Sequence, residues 1–144
     1  MKRLLLAAAA LAIAATTSFA DPAEDREALM KSFGAALAKL APIAKGEQPF
    51  DEAAVLAALE TLNTQVQKFD AKALFPEGSA GDSRALPAIW VNWDDFVARH
   101  DKLQADVANA IANPPADQKA LGATLGKIGS NCAGCHENYR KAAS

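Results

Sequence analysis

Cysteine and net charge are both scarce in this chain, and each scarcity excludes a class of protein. There are 2 Cys among 144 residues, and the formal charge is only −2. Two cysteines are too few for a disulfide-rich scaffold, and a weakly acidic chain lacks the basic patch that nucleic-acid binding requires. Apolar residues make up 51% of the chain, which excludes a disordered protein. Much of that fraction is alanine, and β-branched residues are few, so the composition favours helix throughout.

The first twenty residues have the pattern of a secretory signal peptide. A basic start, Met1 to Arg3, precedes an unbroken apolar run from Leu4 to Ala15, and small residues follow at Ser18 and Ala20. We predict export to the periplasm with cleavage after Ala20. The run is too short for a membrane anchor, which needs about 20 apolar residues. The predicted mature chain, residues 21–144, has 13 basic and 17 acidic residues, and it contains no second apolar stretch that could span a bilayer.

Apolar spacing in the first half of the mature chain predicts two amphipathic helices. Asp21 and Pro22 suit the N-cap and first position of helix one, and Asp51 suits the N-cap of helix two. Pro42 suggests that helix one ends early or kinks in its last turn. The apolar faces are Met30, Phe33, Leu37, Leu40 and Ile43, then Val55, Leu59, Leu62, Val66 and Phe69.

The second half predicts a long loop and two further helices. Residues 70–86 contain Pro and Gly and are predicted to be loop, Pro87 opens helix three, and Pro115 is able to begin helix four. Four amphipathic helices with mostly short connections predict an all-α, antiparallel four-helix bundle over residues 21–144. The apolar faces are Trp90, Trp93, Phe96 or Val97, His100, Leu103, Val107 and Ile111, then Leu121, Leu125, Ile128, Cys132, Cys135 and Tyr139.

The sequence Cys132-Ala133-Gly134-Cys135-His136 is the attachment signature of a c-type haem. On a helix, residues three and four apart share one face, so both sulfurs can reach the two vinyl groups of one porphyrin. His136 shares that face and can place an imidazole nitrogen on the iron. We therefore expect one haem c, bound covalently through Cys132 and Cys135.

Three other interpretations of the motif explain the sequence less well. A disulfide between Cys132 and Cys135 would close a two-residue loop and stabilise little. A thioredoxin-like redox pair requires a βαβ setting, which this sequence lacks. A zinc site needs four ligands, and the mature chain has only two Cys and two His, with His100 far from the motif.

The other side of the iron has two candidate ligands in the sequence, Met30 and His100. Met30 is the only methionine of the mature chain. Taken alone, a single Met on an apolar helix face is usually core filling, and a half-buried His is usually satisfied by a neighbouring group.

The sequence resembles the class II c-type cytochromes, the family of cytochrome c′ and its low-spin relatives, over essentially the whole mature chain. These proteins are four-helix bundles with the haem motif near the C-terminus, as here. The resemblance implies that His136 is the proximal iron ligand and that Cys132 and Cys135 are the thioether anchors. It is carried by Arg26 to Lys31, Lys45 to Asp51, Leu74 to Pro76, Pro87 to Trp90, and Cys132 to His136 followed by Tyr139-Arg140.

By the same resemblance, Met30 lies at the position that faces the distal side of the iron. In cytochromes c′ that side chain does not bind, and the iron is five-coordinate, whereas in the low-spin branch a Met there is the sixth ligand. The resemblance also implies further haem contacts for Arg26 near the propionates, Arg140 beside the proximal pocket, and Phe33 and Trp90 as walls of the porphyrin.

The leading functional hypothesis is a periplasmic electron carrier that exchanges electrons with redox partner proteins. The alternative is a haem protein that binds nitric oxide or carbon monoxide at a vacant distal site. We find no candidate nucleophile or acid–base pair, and the apolar company of Met30 does not supply the distal acid–base residue that a peroxidase needs, so we do not expect an enzyme. Family members are often homodimers, and small residues in helices one and two permit close approach of a second copy: Ala35, Ala38, Ala53 and Ala57.

Overall fold

The computed structural model describes residues 21–142, so the predicted signal peptide lies outside the described residues. Four long helices and two single-turn helices account for most of this part of the chain. They are α1 (Pro22–Ala44), α2 (Glu52–Val66), α3 (Ala71–Leu74), α4 (Ala88–Val91), α5 (Trp93–Ala112) and α6 (Gln118–Tyr139).

The four long helices form a bundle in which each packs against two others. α1 contacts α2 and α6, and α5 contacts α2 and α6. No strand is present between residues 21 and 142, and the predicted all-α four-helix bundle is confirmed. No helix in that range is long and apolar enough to cross a membrane. We call the buried residues between the long helices the bundle cluster: Phe33, Ala36, Leu40, Ile43, Val55, Ala58, Leu59, Leu62, Val66, Leu103, Val107, Ala110, Leu121 and Ile128.

Aspartate side chains begin three of the long helices. Asp21 accepts a hydrogen bond from the amide of Ala23, and Asp51 accepts one from the amide of Ala54, as the sequence predicts. These bonds satisfy amides that have no partner within the helix. α1 continues past Pro42 to Ala44, so of the two predicted effects of Pro42, a kink or an early end, the early end is wrong. A proline this near the C-terminus removes only one helical hydrogen bond, and packing outweighs that loss.

The boundaries of the other elements differ from the prediction in four places. The third helix breaks at Asn92, whose backbone leaves the helical region at φ −118° and ψ 47°, so the predicted single helix becomes α4 and α5. The fourth helix begins at Gln118 rather than Pro115, because Asp117 accepts a hydrogen bond from the Ala120 amide and acts as its N-cap. Phe69 lies beyond the end of α2, and the predicted loop contains the one-turn helix α3.

Candidate haem-attachment site

The Cys-x-x-Cys-His segment lies in the last two turns of α6, between two apolar clusters. Cys132 packs against the bundle cluster, and Cys135 packs against a second group that we call the aromatic cluster. A flat apolar group held by both sulfurs would therefore find apolar side chains on either side. The aromatic cluster consists of Phe75, Ala85, Ile89, Phe96 and Tyr139.

Both thiols are half-buried and free in this structure. Burial raises the pKa of Cys132 and of Cys135 above the usual value for a thiol. At Cys135 the Arg99 cation opposes that rise. Two neutral, unpaired thiols on one helix face have the geometry for thioether bonds to a single apolar partner.

The His136 side chain is half-buried next to these thiols and is suited to bind a metal. Burial lowers its pKa first, and the nearby cations Arg140 and Arg84 lower it further. A neutral imidazole is the form that ligates iron or zinc. Between residues 21 and 142, no three His, Cys, Asp or Glu side chains come together as a metal site. A haem iron needs only one or two protein ligands, because the porphyrin nitrogens supply the rest.

Backbone hydrogen bonds fix the end of α6 directly after His136. The Leu86 amide donates to the Tyr139 carbonyl at 3.0 Å, and the Lys141 amide donates to the Arg84 carbonyl at 2.8 Å. Arg140 forms an isolated antiparallel bridge with Ala85, and its side chain is exposed. The segment before α4 therefore holds the last turn of the motif helix in place.

Met30 and Phe33 are brought to the same cluster as Cys132. Met30 is half-buried on α1 and packs against the bundle cluster, and Phe33 is buried within it. α1 also contacts α6, the helix that carries Cys132.

Trp90 packs against the same cluster as Cys135, not the cluster of Met30 and Phe33. It packs against the aromatic cluster, and its indole Nε1 donates to the carbonyls of Phe75 and Pro76, each at 3.1 Å. Phe33 and Trp90, which the resemblance pairs as porphyrin walls, thus belong to different clusters on the two sides of the motif.

Arg26 is a buried cation with only 7% of its surface exposed. Its two terminal nitrogens donate to the carbonyls of Leu74 and Ser79 and to the hydroxyls of Ser79 and Ser83. Burial lowers the pKa of its guanidinium, and the charge of Asp21 opposes this. Among the described residues none of its hydrogen-bond acceptors is a carboxylate. A buried cation with neutral partners suits a nearby anionic group, and carboxylates such as haem propionates are of that kind.

The ring of His100 is held by neighbouring groups, which is the common outcome for a half-buried histidine. Its ring stacks on Phe69 with centroids 4.1 Å apart, and its Nε2 lies 3.2 Å from the Val66 carbonyl. The ring therefore joins α5 to the end of α2.

One polar group beside the motif is absent from the sequence-based set of site residues. Asp95 accepts hydrogen bonds from Arg99 Nε at 2.6 Å and from the Tyr139 hydroxyl at 2.5 Å. These bonds, from Arg99 and then Tyr139, lower the pKa of Asp95. Burial, and then the bond to Asp95, raises the pKa of Tyr139. The spacing of Asp95 and Arg99 signals a helical ion pair, but nothing in the sequence indicates that the pair faces α6.

Comparison with known proteins gives one consistent result. A family model described as Cytochrome C' matches residues 21–140. The chain is 44% identical over 121 residues to cytochrome c-556 of Agrobacterium fabrum, covering 84% of this chain and 82% of that protein. It is 34% identical over 147 residues to cytochrome c' of Cereibacter sphaeroides, covering 97% and 98% of the two chains.

Solved structures agree with the sequence comparisons. Cytochrome c' from Rhodopseudomonas palustris superposes with a TM-score of 0.77 at 34% identity, covering 88% of this chain and 100% of that one. A nitric oxide complex of a mutant cytochrome c prime from Alcaligenes xylosoxidans superposes with a TM-score of 0.75 at 29% identity, covering 87% and 100%. Both the sequence and the fold thus show that this chain belongs to the cytochrome c′ family of haem proteins.

Proposed function

We propose that this protein is a periplasmic electron carrier with one haem c, attached through thioethers at Cys132 and Cys135 and ligated by His136. The observation that carries the proposal is the position of the motif between two apolar clusters, with both thiols free and half-buried. Lowering of the His136 pKa by burial supports a neutral, ligating imidazole. A haem iron held there supplies reversible one-electron chemistry.

Met30 is the proposed second iron ligand. It is the only methionine after residue 20, and it packs against the same cluster as Cys132. A thioether ligand raises the reduction potential and favours a six-coordinate iron in both oxidation states, which limits structural change during electron transfer. In this proposal the polypeptide orients the two iron ligands, His136 and Met30, and excludes water from them.

The remaining family positions have supporting roles in the proposal. Phe33 and Trp90 line the two apolar sides, Arg140 lies beyond the proximal histidine, and Arg26 offers its buried charge to a propionate. Because the terminal nitrogens of Arg26 already bind residues 74–83, its contribution to an anion is mainly through charge rather than a new hydrogen bond.

The visible absorption spectrum of the purified ferric and ferrous protein tests this function. A low-spin, six-coordinate spectrum that persists in both oxidation states supports the electron carrier. A haem that extracts from the denatured protein into acidified organic solvent contradicts covalent attachment.

Gas binding is the second candidate function, and the related structure with nitric oxide is the observation that favours it. If the iron is five-coordinate, the distal side next to Met30 is open to nitric oxide or carbon monoxide. A high-spin, five-coordinate spectrum together with rapid binding of carbon monoxide to the ferrous protein would make this candidate the better one.

The predicted cleavage after Ala20 is compatible with the start of the fold. Asp21, the first residue after the predicted cleavage site, already caps α1, so nothing before it is required for the helix. N-terminal sequencing of protein released from the periplasm should begin at Asp21.

A further inference from the structure

Arg99 connects helix α5 to the middle of the haem-attachment segment. Its Nε donates to the Asp95 carboxylate at 2.6 Å, while its Nη1 donates to the Gly134 carbonyl at 3.0 Å. Gly134 lies between the two cysteines. One guanidinium therefore joins a carboxylate on α5 to the backbone of the segment on α6.

The surroundings of Arg99 allow this close approach and restrict its movement. A Cβ added at Gly134 would lie 3.4 Å from Arg99 Nη1, which is van der Waals contact, so the guanidinium lies directly against the backbone at Gly134. The guanidinium also lies over the Tyr139 ring, 5.8 Å from its centroid. Tyr139 in turn donates its hydroxyl to the same Asp95 oxygen that accepts from Arg99. Asp95 and Tyr139 thus hold the cation from two directions.

This arrangement differs from an ordinary ion pair along one helix. The Glu27–Lys31 pair on α1 has the same spacing, but its side chains are 67% and 74% exposed. The Arg99 and Asp95 side chains are 35% and 53% exposed, and Arg99 makes an additional bond to another helix. The Gly134 carbonyl also accepts from the Asn138 side-chain amide at 3.1 Å, so the Arg99 bond adds positive charge to an already polarised group.

We propose that Arg99 is a positioning residue for haem attachment: held by Asp95 and Tyr139, it fixes the segment from Cys132 to His136 against α5 and raises the reduction potential of the haem. The inference rests on the proposed haem attachment at this segment. A cation held against the haem-attachment segment would favour the reduced state of a haem bound there, because that state carries one less positive charge, and the Asp95 carboxylate would act in the opposite direction. The two substitutions that remove these charges should therefore shift the potential with opposite signs.

The test is the reduction potential of purified holoprotein, measured for wild type and four variants. Arg99→Gln should lower the potential, Arg99→Lys should recover most of that shift, and Asp95→Asn should raise it. Lys119→Gln is the matched control: it removes the same charge from an exposed position in the first turn of α6, far from the motif, and should leave the potential unchanged.

The opposite signs separate this role from a merely structural one, which would shift both variants in the same direction. A potential for Arg99→Gln equal to that of wild type, or shifted no further than Lys119→Gln, overturns the inference. If Arg99→Gln does not accumulate as folded holoprotein, Asp95→Asn decides alone, and an unchanged or lowered potential overturns the inference. If the wild-type protein contains no covalent haem, both the proposed function and this inference are wrong. If the wild-type protein carries covalent haem but Arg99→Gln leaves the reduction potential unchanged, only the inference is wrong.

Discussion

The side-chain amide of Asn131 donates a 2.7 Å hydrogen bond to Oδ2 of Asp106, which ties the residue directly before Cys132 to helix α5. The same carboxylate accepts from Lys102 Nζ at 2.6 Å and from Lys127 Nζ at 2.8 Å. Only 11% of the Asp106 side chain is exposed. Three donors from two helices thus meet on one nearly buried carboxylate, and this network holds α6 at the start of the motif as Arg99 does further along.

Replacing Asp106 with Asn should destabilise the fold. The substitution removes the charge that Lys102 and Lys127 bind, and solvent screens both lysines, so we expect a loss of about 1 kcal/mol in the free energy of unfolding. Urea denaturation measures this loss. Glu27→Gln is the matched control, because it breaks an exposed pair on α1 and should have almost no effect. Equal stability of Asp106→Asn and Glu27→Gln would contradict the prediction.

The same carboxylate predicts how stability depends on pH. Hydrogen bonds from Lys102, then Lys127 and then Asn131, hold the pKa of Asp106 well below its usual value. Above the unfolded-state value of about 3.9, the group is ionised in both states and its full contribution is present. As the pH falls below about 4, the unfolded chain takes up the proton first and the contribution is lost. The stability difference between wild type and Asp106→Asn should be constant from about pH 5 to 7 and narrow below about pH 4.

Loss of one cysteine should leave the haem attached, and loss of both should release it. Cys132→Ala or Cys135→Ala leaves one thioether, so the haem should stay with the protein during extraction in acidified organic solvent. The double variant should lose its haem in that extraction or accumulate little holoprotein, because the clusters on both sides of the motif would lack their central filling. Retention of haem by the denatured double variant would show that neither sulfur is the attachment point.

Met30→Ala distinguishes the two candidate functions. If the Met30 sulfur binds iron, its loss should convert a low-spin spectrum to a high-spin one and speed the binding of carbon monoxide. Leu37→Ala is the matched control, since Leu37 is half-buried on the same helix and packs against the same cluster. Met30→Ala with the spectrum and binding rate of wild type would exclude ligation by Met30 and favour gas binding.

The predicted homodimer should form through α1 and α2. Ala35, Ala38, Ala53 and Ala57 are all exposed on these helices, so a second copy is able to approach them closely. Sedimentation at micromolar concentration should give a dimeric mass for wild type and a monomeric mass for Ala38→Glu. Ala105→Glu, at an exposed position of α5, should leave the dimer intact. A monomeric wild type would contradict the prediction.

Local signals predicted the helices well and their boundaries less well. Asp21 and Asp51 are N-caps in the structure. An aspartate at the start of a helix accepts hydrogen bonds from the unpaired amides of the first turn, and this local interaction does not depend on the tertiary fold. Asn92 breaks the predicted third helix, and no periodicity reveals this, because Trp90, Trp93 and Val97 keep the spacing of three and four residues across the break.

The sequence by itself determined the four-helix architecture and the position of the Cys-x-x-Cys-His motif on a helix, because both follow from spacing along the chain. Only the tertiary structure decided that Cys132 and Cys135 pack against different clusters, that the Arg26 charge is buried, and that Arg99 bonds to Gly134. Each of these depends on which helix faces are brought together by residues far apart in sequence. Helical periodicity identifies an apolar or polar face, but the packing of the whole bundle selects the partner that this face meets.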